Sequence, residues 1–193
     1  LDHGVEILHD WDGIVKLLCE ASPTHAPGRR LAYHAITGGF ILGEIVKRVT
    51  GKTIRQVLAE EVLDPLGFKW MNYGCTAEQV PQIARSYFTG SAPPWPLSTI
   101  VARALGVSIQ EAAELSGSVP YLTSIVPSGN VIATADEASR FFQILLNGGE
   151  LDGKRVFAKR TIHRAINETA YLEMDLTLGF PVRYGHGLML GSE

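Results

Sequence analysis

The sequence is short of most residue patterns that announce a specialised chemistry. Its two cysteines, Cys19 and Cys75, lie far apart with no Cys-x-x-Cys pair, so cysteine-based metal or redox chemistry has no support. They read as buried structural thiols, with a disulfide between them left open. The six histidines (His3, His9, His25, His34, His163 and His186) show no His-x-x-x-His spacing, and no metal site is expected from them. Positive charge is not in excess. The net charge is −3, and the basic residues are scattered apart from the cluster Gly28-Arg29-Arg30, which excludes a strongly basic nucleic-acid footprint. No apolar run approaches the roughly 18 residues of a membrane span. The start, "LDHGVEILHD", has neither an initiator methionine nor a basic-then-apolar leader, and reads as the inside of a longer gene product. Internal repeats and low-complexity tracts are missing as well.

What remains is the composition of one ordinary globular domain. With 193 residues, 46% of them hydrophobic and 19% charged, the chain can bury a sizeable core but is too short to promise two domains. "DWDGIVKLLCEASP" carries Ile14, Val15, Leu17 and Leu18 near helical spacing, and Pro23 stops it. A second helix is expected where Ile36, Phe40, Ile41, Ile45, Val46 and Val49 recur on one side, ending at Gly51. Three glycines, Gly38, Gly39 and Gly43, fall inside it. Each costs about 1 kcal/mol of helix propensity relative to alanine, so their clustering points to an unusually close neighbour.

Side-chain caps mark further helix starts at "TIRQ" (Thr53, Gln56), "SIQE" (Ser108, Glu111) and "TADE" (Thr134, Glu137). The first of these helices, over 54–63, should end at Asp64-Pro65. The third carries Phe141, Phe142, Ile144, Leu145 and Leu146 as a dense apolar face before Gly148. "TGSAPPWPLS", residues 89–98, is a proline-rich loop whose tryptophan is expected to pack. "VPYLTSIVPSGN" reads as extended, with a turn at 127–130. Asp152-Gly153 marks a tight turn, a helix is expected near 159–167, and "PVRYGHGLML" reads as strand and turn.

Familiar catalytic motifs fail on inspection. "TGKT" at 50–53 has Val46 where a phosphate-binding loop needs glycine, and a helix stop followed by a helix start explains it. No Gly-x-Ser-x-Gly elbow occurs, and no serine stands three residues before a lysine. Tyr33 is the remaining candidate. A tyrosine with the ordinary pKa of about 10 is a poor base; a helix start and a nearby ammonium would favour its phenolate. Taken alone, Tyr33 reads as an amphipathic side chain covering the core rather than as a base, and His34 as a surface or packing histidine.

The longer pattern "APGRRLAYHAITGGFILGEIVKRVTGKTIRQVLAEEVLDPLGF" resembles the second-motif region of the serine β-lactamase-like superfamily, which includes class C β-lactamases, DD-peptidases and family VIII carboxylesterases. "PSGNVIATADEASRFFQILLNGGELDGKRV" and "DLTLGFPVRYGHGLMLG" are similar to later segments of the same superfamily, in the same order. The resemblance implies a mostly α fold with minor β, the helical subdomain of a β-lactamase/penicillin-binding-protein-like α/β fold with its sheet largely missing. It implies a single partial domain over 1–193, with a variable insertion at 86–127.

Carried onto this chain, the motif tyrosine is Tyr33, which in the family passes protons between the nucleophilic serine, its lysine and the leaving group. His34 occupies the variable middle position of the motif. Ala35 stands where β-lactamases and peptidases place an asparagine that grips an amide carbonyl, which tilts the expectation toward esters. His34 and Ala35 are thus the expected substrate-binding positions, beside Tyr33 as the catalytic one. Neither Ser-x-x-Lys nor Lys/His-x-Gly occurs; Gly185-His186-Gly187 lies too early and lacks the intervening residue. The resemblance therefore implies part of a serine hydrolase that supplies the tyrosine but not the nucleophile, and the isolated chain is expected to be inactive. The implied substrate is a small-molecule ester or amide, with no cofactor, no metal and no nucleic acid. Self-association through an exposed sheet-facing surface is also expected. A β-lactamase or DD-carboxypeptidase fragment is the alternative within the superfamily, and a non-catalytic helical binding module is the alternative outside enzymes.

Overall fold

The computed structural model describes residues 4–23, 25, 26, 28 and 30–190; His3, Arg29 and Gly191 to Glu193 lie outside them. Helices α1 (Trp11–Glu20) and α2 (Thr37–Thr50) open the fold. Asp10 caps α1 through the Gly13 amide, and α2 runs to Gly51. The two helices meet where the Trp11 and Phe40 rings tilt together at 5.1 Å. There the Trp11 indole Nε1 also donates to Glu44 Oε2 at 2.8 Å. The Arg48 guanidinium and then the Trp11 N–H hold the Glu44 carboxyl below the ordinary carboxylate range.

The clustered glycines explain how close this packing is. A Cβ on Gly43 would stand 2.7 Å from the Trp11 ring. One on Gly39 would meet Ser128 Oγ and lie 2.9 Å from the Ser128 amide nitrogen. Gly38 faces only ordinary contact with His34. The expected apolar face of α2 is not all core: Phe40 is buried, while Ile41, Ile45 and Val49 are exposed.

Helix α3 (Ile54–Leu58) starts on a complete Thr53/Gln56 capping box and continues as a π-helical turn, Ala59–Leu63, ahead of Pro65. Helices α4 (Leu97–Leu105), α5 (Ile109–Ser116) and α6 (Val119–Thr123) follow. The Ser108/Glu111 box at α5 is also complete. The segment expected to be extended at 119–123 is helical because Ser118 caps it and Pro120 lies in the first turn, where a missing N–H costs nothing. Trp95, expected to pack, is 81% exposed, on the proline-rich stretch ahead of α4. Of the two thiols only Cys75 is buried; Cys19 is exposed on α1, and both are free.

Strand material is sparse. Strands β1 (Asn72–Tyr73) and β2 (Val131–Ile132) pair antiparallel. After α7 (Ala135–Leu146), β3 (Glu150–Leu151) and β4 (Lys154–Arg155) form the hairpin around Asp152-Gly153. Helix α8 (Lys159–Ile166) leads into an antiparallel meander of β5 (Glu168–Met174), β6 (Pro181–Gly185) and β7 (Met189–Leu190). Gly185 ends β6 and the following turn leads to β7, so "GHG" is strand end and turn. The molecule is mostly α with minor β, as its sequence implied.

Two apolar clusters hold it. One joins Val62, Leu63, Leu66, Phe68 and Met71 to Ile144 and Leu151. The other is smaller, formed by Ile14, Phe40 and Val126. The larger cluster is closed by Glu137, which the sequence marked only as half of a capping box. Thr134 does cap α7 through the Glu137 amide. The Glu137 carboxylate, 6% exposed, accepts from the backbone amides of Lys69, Trp70 and Met71 at 2.6–3.1 Å. Burial raises its pKa, but the backbone amides of Lys69, Trp70, Met71 and Thr134 outweigh that and leave it lowered.

Candidate active site

Tyr33 lies on an extended lead-in at 31–34, four residues ahead of α2 rather than in its first turn. Two ties position this lead-in. His34 Nδ1 lies 3.2 Å from Thr37 Oγ1, at the start of α2. On the other side, the Leu31 carbonyl accepts from the Leu176 amide at 2.9 Å. The turn that carries Leu176 is built by Asp175, which is fully buried. Its Oδ1 accepts from the amides of Thr177 and Leu178, both at 2.8 Å, an Asx-type turn that an aspartate makes with its own chain. Tyr184 on β6 donates to Asp175 Oδ2 at 3.4 Å. Burial first, then the Asp175 charge and this bond, push the Tyr184 phenol up to about 12, with Tyr33 adding to the effect. Tyr184 is thus a fixed donor behind the lead-in.

Tyr33, His34 and Ala35 come together on one wall of a cleft of about 490 Å3. Ile36, Tyr121, Val126 and Thr177 also line it. The segment from the end of α6 to residue 130 is pinned by buried Asn130. Asn130 accepts from the Val126 amide at 3.0 Å and donates to the Tyr121 and Ser124 carbonyls, each at 2.7 Å. Its Ser128 hydroxyl donates to the Ile36 carbonyl at 3.0 Å, which seats the loop on the glycines of α2. Burial pushes the Tyr121 phenol up, so it remains a donor, here to the Gly129 carbonyl at 2.6 Å.

Residues of the α4–α5 joint, including Leu105, Val107, Ala112 and Leu115, line the same cleft, as does Arg103. Among the described residues no carboxylate lines the cleft. The Tyr33 hydroxyl, in a side chain 39% exposed, makes no hydrogen bond to another described residue. Sequence reading named Tyr33, His34 and Ala35 and did not place the α4–α5 residues in the cleft. Asp175 had a legible signal in its Asp-x-Thr turn, and the start of α5 was legible in the Ser108/Glu111 box, but nothing local tied that helix to Tyr33. Among the described residues no three His, Cys, Asp or Glu side chains cluster in a way that could hold a metal ion. Nor is any described helix long and apolar enough to cross a membrane.

The Beta-lactamase family profile matches residues 1–193, and the chain belongs to that family. It is 26% identical over 183 residues to the esterase/beta-lactamase LipL of Mycobacterium tuberculosis, covering 86% of this chain and 43% of that protein. A penicillin-binding protein homolog from Caulobacter crescentus superposes with a TM-score of 0.78 at 26% identity, covering 95% of this chain and 48% of that one. A family VIII carboxylesterase does so with a TM-score of 0.78 at 26% identity, covering 96% and 49%. The chain therefore spans about half the length of these relatives.

Proposed function

We propose that this chain is the tyrosine-bearing part of a serine hydrolase that cleaves carboxylic esters through an acyl-serine intermediate. The observation that carries the reading is the Tyr33 hydroxyl, free of hydrogen bonds to described residues, on the wall of a cleft shared with His34 and Ala35. Tyr33 takes the proton of the attacking serine, together with the lysine of its Ser-x-x-Lys pair, and returns it to the departing alcohol. Neither of those partners has its motif within residues 1–193, so the reading places them elsewhere in the full-length gene product. Ala35 offers a methyl group where an amide donor would hold a peptide or lactam carbonyl. An ester, with its better leaving group, needs that grip less. The family match and the carboxylesterase likeness support this choice. The name of LipL, which pairs esterase with beta-lactamase, keeps β-lactam hydrolysis as the second reading.

The test is Tyr33→Phe in the full-length protein, assayed on p-nitrophenyl acetate and butanoate. General acid–base participation predicts a fall in kcat of about 10²–10⁴-fold, with thermal stability retained. Unchanged turnover in a folded variant removes Tyr33 from the mechanism.

A further inference from the structure

We infer that Asp175 is a positioning residue for the Tyr33 phenol, acting through the turn at 175–180 and the lead-in at 31–34. The inference rests on the Tyr33 reading above and adds to it the group that holds the phenol where a proton can pass. The lead-in has little of its own to fix it. It belongs to no helix or strand. Its one backbone hydrogen bond to another described residue is the Leu31 carbonyl accepting from Leu176. The contact of His34 with Thr37 is local and exposed, so the Leu176 amide is the tie that reaches across the chain.

Asp175 fixes that amide from inside the turn. Its carboxylate is fully buried and engages both oxygens, Oδ1 with the Thr177 and Leu178 amides and Oδ2 with the Tyr184 hydroxyl. The backbone closes the same turn: the Asp175 amide donates to the Phe180 carbonyl at 3.1 Å, and the Gly179 amide donates to the Asp175 carbonyl at 2.8 Å. Gly179 takes the left-handed conformation, φ 76°, that such a closure needs. Leu176 thus stands between residues that are held on both sides, with its amide on Leu31. Burying a carboxylate costs desolvation that its three hydrogen bonds must offset, and a turn that only reversed β5 into β6 could use a neutral residue. The same turn brings Thr177 into the cleft that Tyr33 lines. Burial comes first among the causes that raise the Tyr184 pKa, but Tyr33 is among them, so the two phenols lie within electrostatic reach of each other.

The test uses a graded series at Asp175 in the full-length enzyme, assayed on p-nitrophenyl acetate. Asp175→Ala removes the acceptor of both turn amides and should lower kcat by about a hundredfold, the order expected when a reacting group is displaced by about 1 Å, with KM unchanged. Asp175→Asn keeps an oxygen for those amides and should restore most of the lost kcat. Asp175→Ser, whose hydroxyl makes such turns more weakly, should fall between them, and it carries the test if Asp175→Ala does not fold. Because Asp175 acts through Tyr33, the Ala or Ser change should lower kcat no further in a Tyr33→Phe background; a merely structural residue would lower both backgrounds alike. The Tyr33 ring resonances in NMR and hydrogen exchange at the Leu176 amide read the same tie without turnover. Both should move in the Ala or Ser variant and return with Asn. If Tyr33→Phe alone leaves turnover intact, the relay fails, and shifted Tyr33 resonances still support the positioning. Equal losses of kcat in the two backgrounds, no rescue by Asn, or Tyr33 resonances that stay in place overturn the role of Asp175 and leave the relay standing.

Discussion

The two apolar clusters are built from similar residues and end in opposite conditions. The cluster around Ile144 is closed on itself: α3, its π-helical turn, α7 and the β3–β4 hairpin converge on it, and Glu137 ties α7 to the backbone at 69–71. The cluster around Phe40 and Val126 is smaller and stands beside an open cleft whose lining is mostly apolar. One region uses its hydrophobic surface to hold itself together, while the other leaves a share unmatched next to Tyr33. Stability and binding draw here on the same kind of surface, and the division between them is set by a few polar anchors.

The sharpest way to break the comparison is to remove the anchor of the closed region. Glu137→Ala removes the acceptor of three consecutive backbone amides, that of Met71 buried and those of Lys69 and Trp70 part-buried. At about 1–3 kcal/mol for a buried unsatisfied group, with water meeting part of the need of the other two, we expect a loss of about 2–4 kcal/mol in urea unfolding at pH 7. The same residue gives a pH signature. Its folded pKa is lowered, so its stabilisation is fully present above the unfolded value of about 4.3 and is lost as pH falls through the folded value. Acidification through that window should erode the stability of the unmodified protein and leave that of Glu137→Ala less affected.

A smaller effect is expected at the seat of the open region. Gly39→Ala pushes a methyl group into Ser128. Overpacking of about 1–3 kcal/mol, less about 1 kcal/mol regained in helix propensity, leaves a net loss of about 0–2 kcal/mol. A lowered Tm with helix content unchanged by circular dichroism would confirm it; a raised Tm would show that the loop simply steps aside. Least of all is expected from the surface. Lys47 and Asp12 pair at 3.0 Å, but the aspartate side chain is 87% exposed, and Lys47→Ala should change the unfolding free energy by less than about 1 kcal/mol.

Much of this architecture is written locally. Thr53, Ser108 and Thr134 start helices where their side chains reach the backbone three residues on, and Asp152-Gly153 turns the β3–β4 hairpin. What local pattern could not carry is partnership across the chain. Nothing near Glu137 in sequence reveals that its carboxylate serves Lys69, Trp70 and Met71, because the contact spans more than sixty residues. Helix α4 was hidden behind the prolines of its own lead-in, although Gly106 marks its end, and strand β5 carried no turn signal strong enough to separate it from α8. Ile41, Ile45 and Val49 have the spacing of a core stripe and are exposed, since periodicity shows which face of a helix is apolar and not whether anything covers it. For the cleft, the motif pattern reached the Tyr33 wall. That residues of α4 and α5 some seventy positions on line the same cleft lies beyond any local rule, although the Ser108/Glu111 box marked where α5 begins.

The missing side chains at Gly39 and Gly43 turn α2 into a reference edge, in the machinist's sense. With no methyl groups in between, the helix rests directly on Ser128 and on the Trp11 ring, and the clearance at that joint is close to nil. Tyr33 lies only four residues ahead of the helix, so the seating of α2 bears on where its phenol stands. A displacement of 1 Å at a reacting group can cost about a hundredfold in rate, while a helix tolerates the same shift with little change in its own hydrogen bonds. Two glycines chosen for fit would then serve as a gauge block for the chemistry next door.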